Sequence, residues 1–325
     1  MKKFLKSISI FGIVLLLVTI AIECLLLTRP NSYSYKRMYV EEHINDIKCL
    51  LLGNSHIEES LNANLMGSGV FNLAISGRKI IYDIELAKKF VPKMNSIETI
   101  IMPLDYTEFY FGREHYNQNE QRDRNPRLDD TYKCMYYKYM GIRIDGFWYW
   151  SEFLNSTLDF MKRFVQNEEE AIGCDSLGYV KLELSKRKSN WNYLNLPKII
   201  DTTLPKDQSK EVTLYIQYRT LAEIARNQGA RLVLLITPMY ETYIQSMNPT
   251  VVEEMNRFVT QLEHEFSNVE FYDYSSDKRF IDDDFYDASH LTSIGATKFS
   301  KIVKEEVLNK KIHQAGSEVT SMLAH

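Results

Sequence analysis

The sequence predicts a three-layer α/β/α sandwich, a parallel sheet with helices on both faces, together with an N-terminal transmembrane helix and a long insertion. Short apolar runs typical of buried strands alternate with amphipathic segments of helical period, and the connectors between them are short. An uncharged run near the N-terminus is long enough to span a bilayer. A polar, aromatic stretch interrupts the alternation of strands and helices, and we interpret this stretch as the insertion.

Residues 1–27 are predicted to be a short cytoplasmic stub and a membrane anchor. Three lysines (Lys2, Lys3 and Lys6) precede the apolar run and favour a cytoplasmic N-terminus. The rest of the chain is then extracytoplasmic and membrane-anchored. A cleaved signal peptide remains an alternative, although no Ala-x-Ala site ends the run. Lipidation at Cys24 is another, although the charged Glu23 stands where such sites want a small residue.

The soluble part divides into a linker over 28–45, an α/β domain over 46–310 and a flexible tail over 311–325. Periodicity and stop signals place the elements of the domain. The predicted strands are 49–52, 71–77 (a strand and its turn), 99–102, 231–236 and 269–274, and the predicted helices are 80–90, 212–228, 251–266 and 293–308.

The insertion spans residues 107–210 and is mostly helical, with helices predicted near 130–140 and 150–165. The chain contains 21 Tyr and 16 Phe, and many of them lie early in this region. Two interpretations stay open: amphipathic packing with the hydroxyls at the surface, or a face that stacks on sugar rings. Cys134 and Cys174 are a candidate disulfide pair in an oxidising compartment.

Composition and spacing argue against several classes of function. A formal charge of −4 gives no reason to expect nucleic-acid binding. No CxxC or Cys/His spacing indicates zinc, and the acidic run Asp282–Asp284 lacks the ligand spacing of an EF-hand calcium loop. We therefore predict neither a metal nor a cofactor.

Two short segments far apart in the chain look like the parts of one active site. Gly53-Asn54-Ser55-His56 follows the first strand, and Asp287-Ala288-Ser289-His290 precedes the last helix. A serine hydroxyl becomes a nucleophile when an imidazole takes its proton and a carboxylate orients that imidazole. Ser55, Asp287 and His290 supply these groups in the order Ser…Asp…His, and sites in open α/β sheets form beyond the carboxyl ends of the strands.

Plainer roles for the same residues stay open. Ser55 could be only a helix N-cap, and His290 only a histidine bonded to backbone at the start of a helix. Asp282, Asp283 and Asp284 could compete with Asp287 for the imidazole.

These segments resemble the blocks of the SGNH, or GDSL-type, hydrolases, whose fold is flavodoxin-like. The resemblance covers about 50–105 and 212–308, and it implies Ser55, Asp287 and His290 as the catalytic triad. It also implies the backbone amides of Ser55 and Gly77 as an oxyanion hole. The chain departs from the family's third block, Gly-x-Asn-Asp, because the corresponding segment Pro103-Leu104-Asp105 lacks the asparagine. An ionised aspartate cannot donate the hydrogen bond of that amide.

The resemblance to membrane-anchored members implies acyl transfer to, or ester hydrolysis on, an extracytoplasmic glycan, with O-acetyl groups as the expected acyl groups. A carbohydrate substrate and a membrane-bound acyl-donor protein are the implied partners. His56 and Asp105 are candidate substrate contacts, and Asn54 is expected to brace the loop. Two rivals are a non-catalytic glycan-binding or envelope-assembly protein and, less favoured by the polar insertion, a secreted lipase.

Overall fold

The sheet has five parallel strands, and their order is that of a flavodoxin-like fold. A computed structural model describes residues 1–113, 126–144 and 165–310. The strands are β1 (Cys49–Leu51), β2 (Val70–Asn72), β3 (Thr99–Pro103), β4 (Arg231–Ile236) and β5 (Val269–Asp273). They lie side by side in the order β2-β1-β3-β4-β5, every pair parallel. The chain reverses its direction of winding between β1 and β3, which makes the gap beside these two strands the expected ligand site.

Side chains that alternate along the strands divide the core into two layers. Leu50, Ile100 and Leu232 pack into one cluster with α4 (Ile80–Phe90), α7 (Gln208–Asn227) and α9 (Pro249–Glu265). Leu51, Ile101 and Val233 pack into a second cluster with Phe299 and Val303 of α10 (Ser293–Val303). Since both faces of the sheet are buried, the strands consist of near-continuous apolar runs. The predicted three-layer α/β/α architecture is confirmed.

Helix boundaries agree with the predictions to within a few residues. Helix α4 has the predicted bounds. Helix α7 begins at Gln208 rather than Val212, because the Asp207 side chain accepts a hydrogen bond from Ser209 N and caps the helix. The last helix continues past Val303 through a π-helical turn to Leu308.

The N-terminal region contains a long apolar helix and one helix that the sequence analysis missed. Helix α1 (Lys2–Leu27) is long and apolar enough to cross a membrane. Within the predicted linker, Ser32–Glu42 forms helix α2, which the Asn31 side chain caps. This helix is polar by composition, yet Tyr33, Lys36 and Val40 are buried against the domain.

The described part of the insertion consists of short helices and irregular segments. It contains α5 (Pro126–Met135) with a π-helical turn over Tyr136–Met140, in agreement with the helix predicted near 130–140, and also α6 (Glu168–Ile172). The predicted helix near 150–165 lies almost entirely outside the described residues. The predicted tail over 311–325 lies wholly outside them. Cys134 and Cys174 are thiols and do not bond to each other. Helix α8 (Glu241–Ser246) follows β4.

Candidate active site

Ser55 begins a short helix, α3 (Ser55–Glu58), directly beyond the end of β1. Asn54 is the N-cap of this helix, and its side chain accepts a hydrogen bond from His56 N at 3.0 Å. The simple N-cap role weighed for Ser55 therefore belongs to its neighbour. Gly53 makes the sharp turn with φ of +120°, where a Cβ would collide with the Pro103 ring. The strand end and this turn fix the direction in which Ser55 enters the cleft.

The structure brings Ser55, His290 and Asp287 together. His290 Nε2 lies 2.9 Å from Ser55 Oγ, although the two residues are 235 positions apart. On the other side of the imidazole, Nδ1 lies 3.0 Å from each carboxylate oxygen of Asp287. A hydroxyl, an imidazole and a carboxylate in this sequence of contacts can activate a serine for attack on a carbonyl carbon.

Several donors hold the Asp287 carboxylate in place. Its Oδ1 accepts hydrogen bonds from the amides of Ser289 and His290 at 2.9 and 3.0 Å, and its Oδ2 accepts one from Asn195 Nδ2 at 2.8 Å. Burial opposes ionisation of Asp287, but the hydrogen bonds and the charge of His290 outweigh it and hold the pKa of Asp287 below its ordinary value. The carboxylate thus stays ionised behind the imidazole.

The rival carboxylates of the 282–284 run have other partners. Asp284 is buried and pairs with Lys298, and its Oδ2 accepts a hydrogen bond from Ile281 N at 2.8 Å. Asp282 accepts a hydrogen bond from the Tyr240 hydroxyl at 3.2 Å, and Asp283 lies 3.6 Å from Arg187. Asp287, and not a residue of this run, accepts the hydrogen bond from His290 Nδ1.

A second histidine and aspartate pair lies beside the first. His56 Nδ1 bonds to Asp105, and the Asn54 side-chain amide donates to the other oxygen of that carboxylate. The His56 and His290 rings lie with centroids 5.1 Å apart. Burial opposes ionisation of Asp105, yet His56 and Asn54 hold its pKa below the ordinary value. The candidate contacts His56 and Asp105 therefore form one hydrogen-bonded unit next to the triad.

Gly77 lies in a loop that buried charges hold against the Ser55 segment. The Glu58 carboxylate accepts hydrogen bonds from Ser76 N and Ser76 Oγ, both at 2.6 Å. Lys36 of α2 pairs with Glu58 at 2.8 Å and also donates to the carbonyl of Ala74. Gly77 has φ of +74°, and a Cβ there would collide with the Tyr132 hydroxyl of the insertion. The amide predicted for the oxyanion hole thus lies in a loop fixed from both sides.

A second buried ion pair supports the turn before Ser55. Asp83 of α4 accepts a hydrogen bond from Gly53 N at 2.8 Å and pairs with Arg78. Burial raises the pKa of Asp83 to about 6, although the charge of Arg78 acts in the opposite direction. The buried Asp83 carboxylate therefore holds Gly53 in its turn conformation.

A third carboxylate near the triad was missed by the sequence analysis. Glu59 Oε2 lies 3.8 Å from His290 Nε2, and Glu59 Oε1 accepts a hydrogen bond from Ser76 Oγ at 3.1 Å. Burial raises the pKa of Glu59. The analysis also missed Asn195, Arg78, Asp83 and the Lys36–Glu58 pair. Of these residues, only Glu59 could have been found from the sequence, because it lies four positions after Ser55, at the end of the helix that Ser55 begins.

Comparisons with known proteins give remote structural similarity. No protein-family model and no curated protein sequence matches the chain. Among solved structures, a candidate platelet activating factor from Streptococcus pneumoniae is 12% identical with a TM-score of 0.37, and covers 93% of this chain and 98% of its own. A candidate SGNH hydrolase from Slackia heliotrinireducens is 11% identical with a TM-score of 0.40, over 81% of this chain and 100% of its own.

A third similar structure is a candidate acylhydrolase from Bacteroides fragilis, 10% identical with a TM-score of 0.40, over 84% of this chain and 94% of its own. At these identities and TM-scores the similarities carry no argument about chemistry. The fold assignment rests on the strand order, and the chemistry rests on the geometry around Ser55.

Proposed function

We propose that the chain is a serine-dependent O-acyltransferase or esterase that acts on acyl groups, in the first place O-acetyl groups, of an extracytoplasmic glycan. One observation carries this proposal: Ser55 Oγ lies 2.9 Å from His290 Nε2, and the far nitrogen of that imidazole lies 3.0 Å from Asp287. This arrangement forms beyond the strand ends at the β1/β3 reversal, where α/β sheets bind ligands.

In the proposed reaction Ser55 Oγ bonds to the carbonyl carbon of an ester while its proton passes to His290 Nε2. The carbonyl electron pair moves onto the oxygen, which accepts hydrogen bonds from the amides of Ser55 and Gly77. The bond to the leaving alcohol then breaks, and the alcohol oxygen takes the proton from His290. A sugar hydroxyl or water then attacks the carbonyl carbon of the acyl-enzyme and gives its proton to His290. The bond from that carbon to Ser55 Oγ breaks, and Ser55 Oγ takes the proton back from His290. Transfer and hydrolysis differ only in this second acceptor.

Aromatic and acidic side chains beside the triad favour a sugar substrate over a lipid. Trp191 and Tyr240 make an edge contact with ring centroids 4.5 Å apart, and the Arg187 guanidinium lies 4.5 Å from the Trp191 ring. Tyr240 joins the triad loop through a hydrogen bond from its amide to the Ala288 carbonyl at 2.9 Å. A cavity of about 430 Å³ next to it is lined by charged and amide side chains, such as Asp282 and Gln245, together with aromatic and aliphatic ones, such as Phe285 and Ile244.

Contacts between helix α1 and the insertion favour a retained anchor over a cleaved signal. Glu23 pairs with Lys138, and both side chains are almost wholly buried. The Tyr139 hydroxyl donates to the Leu26 carbonyl at 3.3 Å. Cleavage after α1 would break this buried ion pair, which costs stability. An anchored enzyme would also stay close to a membrane-bound acyl donor.

The decisive experiment is labelling with a fluorophosphonate probe, which reacts with activated serines. The wild-type chain in detergent is expected to label, Ser55→Ala to lose the label, and Ser246→Ala to keep it, since Ser246 is an exposed helix residue. Wild type and Ser246→Ala should also hydrolyse p-nitrophenyl acetate. A folded wild-type chain that neither labels nor turns over would refute the enzyme and favour the non-catalytic glycan-binding alternative.

Selectivity tests the acyl group and the acceptor separately. We expect p-nitrophenyl acetate to be cleaved far faster than a long-chain ester, and an added oligosaccharide to become acetylated at the expense of hydrolysis. A preference for long chains would support a lipase instead. For the anchor, the intact mass of the membrane-extracted chain should include residues 1–27, and a mature chain that starts after them would contradict it.

A further inference from the structure

We propose that His56, held by Asp105, donates a hydrogen bond from Nε2 to the oxyanion and so replaces the asparagine amide that the resembling hydrolases carry at the Asp105 position. The inference rests on the proposed acyl chemistry of Ser55. It assigns the missing donor to two residues, one from the end of β1 and one from the end of β3. The carboxylate cannot donate, but the imidazole that it holds can.

The contacts of His56 fix which ring nitrogen is available. Nδ1 bonds to Asp105, so the opposite edge of the ring, with Nε2, is turned away from that carboxylate. Within the part of the chain that the structure describes, Nε2 has no hydrogen-bond partner. The side chain is 12% exposed, and Nε2 is not among the polar atoms that the fold seals from solvent, so a bound ligand can accept a hydrogen bond from it.

The position of His56 suits an atom bonded to Ser55. His56 follows Ser55 directly on α3, and its ring centroid lies 5.1 Å from that of His290, the imidazole that contacts Ser55 Oγ. The two imidazoles thus border the same small volume. His290 moves the proton of Ser55, whereas His56 keeps its own proton and only donates a hydrogen bond to the negative oxygen.

Donation from Nε2 while Nδ1–H binds Asp105 requires the doubly protonated imidazolium. Burial alone lowers the pKa of His56, but the charge and hydrogen bond of Asp105 outweigh it and raise the pKa. The other charged groups that face the ring are Glu59 at the end of α3 and Asp287 and His290 on the last loop. Activity should therefore fall at high pH, as His56 loses its proton.

The test is the pH profile of kcat for p-nitrophenyl acetate with full-length His56→Ala, His56→Gln and Asp105→Asn. His56→Ala should lower kcat by about 10²–10³-fold with little change in KM, the usual effect of losing one oxyanion donor. His56→Gln supplies an amide donor that does not titrate, so it should recover part of kcat and lose the alkaline limb. Asp105→Asn removes the charge that keeps His56 protonated and should move the alkaline limb to lower pH.

An alkaline limb unchanged in His56→Gln and Asp105→Asn, with kcat within a few-fold of wild type, would overturn the proposal. A purely structural role for His56 would lower activity without moving that limb, so the profile separates the two. Should His56→Ala fail to fold, the other two variants still decide. A wild-type chain that does not react with the probe would instead refute the acyl chemistry itself. If the wild type is labelled and turns over, the His56 variants test only the role assigned to His56.

Discussion

Two kinds of segment build the candidate site, and they differ in how visible they are in the sequence. The loops at the strand ends carry Ser55, Asp105 and His290, which lie in short motifs. The segments outside the α/β unit, namely helix α2 and the insertion, carry Lys36 and Asn195, which contact the site loops without any motif. Reactive groups must come in fixed combinations, whereas a supporting group needs only to reach its partner from wherever the fold places it.

If α2 is part of the site's support, removing its buried charge should have the largest effect on stability. Lys36→Met would leave the Glu58 carboxylate buried without its cation, and breaking such a pair costs about 3–5 kcal/mol. Denaturant unfolding of the chain in detergent measures this loss. Lys36→Met combined with Glu58→Gln should be less destabilised than Lys36→Met alone.

Lys48→Met is the matched control, because Lys48 pairs with Glu98 at 3.8 Å while both side chains are exposed. Surface pairs of this kind contribute little, so no measurable change is expected. Equal unfolding free energies for the Lys36 and Lys48 variants would show that the Lys36–Glu58 pair does not stabilise the contact between α2 and the site loops.

The second prediction separates backbone strain from contact with the insertion. Gly77→Ala places a Cβ at φ of +74° and against the Tyr132 hydroxyl. We expect a stability loss of about 1–2 kcal/mol from the left-handed conformation. The displaced oxyanion amide should also lower kcat/KM for p-nitrophenyl acetate at least about tenfold.

Gly229→Ala has nearly the same φ, +69°, with nothing within 4 Å of its Cβ, and it follows α7 far from the triad. It should lose similar stability and keep its activity. Equal activity losses in the two variants would mean that the effect is general destabilisation, and would remove Tyr132 from the account.

The predictability of the structure follows the same division. The strands were predictable because both faces of the sheet are buried, and helix α4 because Ile80, Ile84 and Ala87 repeat at helical spacing. Helix α2 was missed because a buried lysine looks like a solvated one until its partner is known. At the site, the motifs named the residues that meet around Ser55.

The motifs did not show that Asp105 contacts His56. That residue was recognised as a departure from the family pattern, but its contact with His56 depends on how the ends of β1 and β3 face each other. Asn195 lies 92 positions from Asp287 in a segment without periodicity. Such contacts depend on the tertiary arrangement of the insertion, which local pattern does not encode.

The smallest expected effect tests whether the insertion positions the triad. Asn195 donates to Asp287 Oδ2 at 2.8 Å and has φ of +57°, a conformation that asparagine tolerates better than alanine. Asn195→Ala removes the hydrogen bond and strains the backbone, whereas Asn195→Gly removes only the hydrogen bond. Because the Ser289 and His290 amides still hold Asp287, we expect kcat/KM to fall only about tenfold, equivalent to about 1.4 kcal/mol, in both variants. If kcat/KM recovers in Asn195→Gly, the loss in Asn195→Ala comes from backbone strain. Full activity in both variants would show that the strand-end loops orient Asp287 without Asn195.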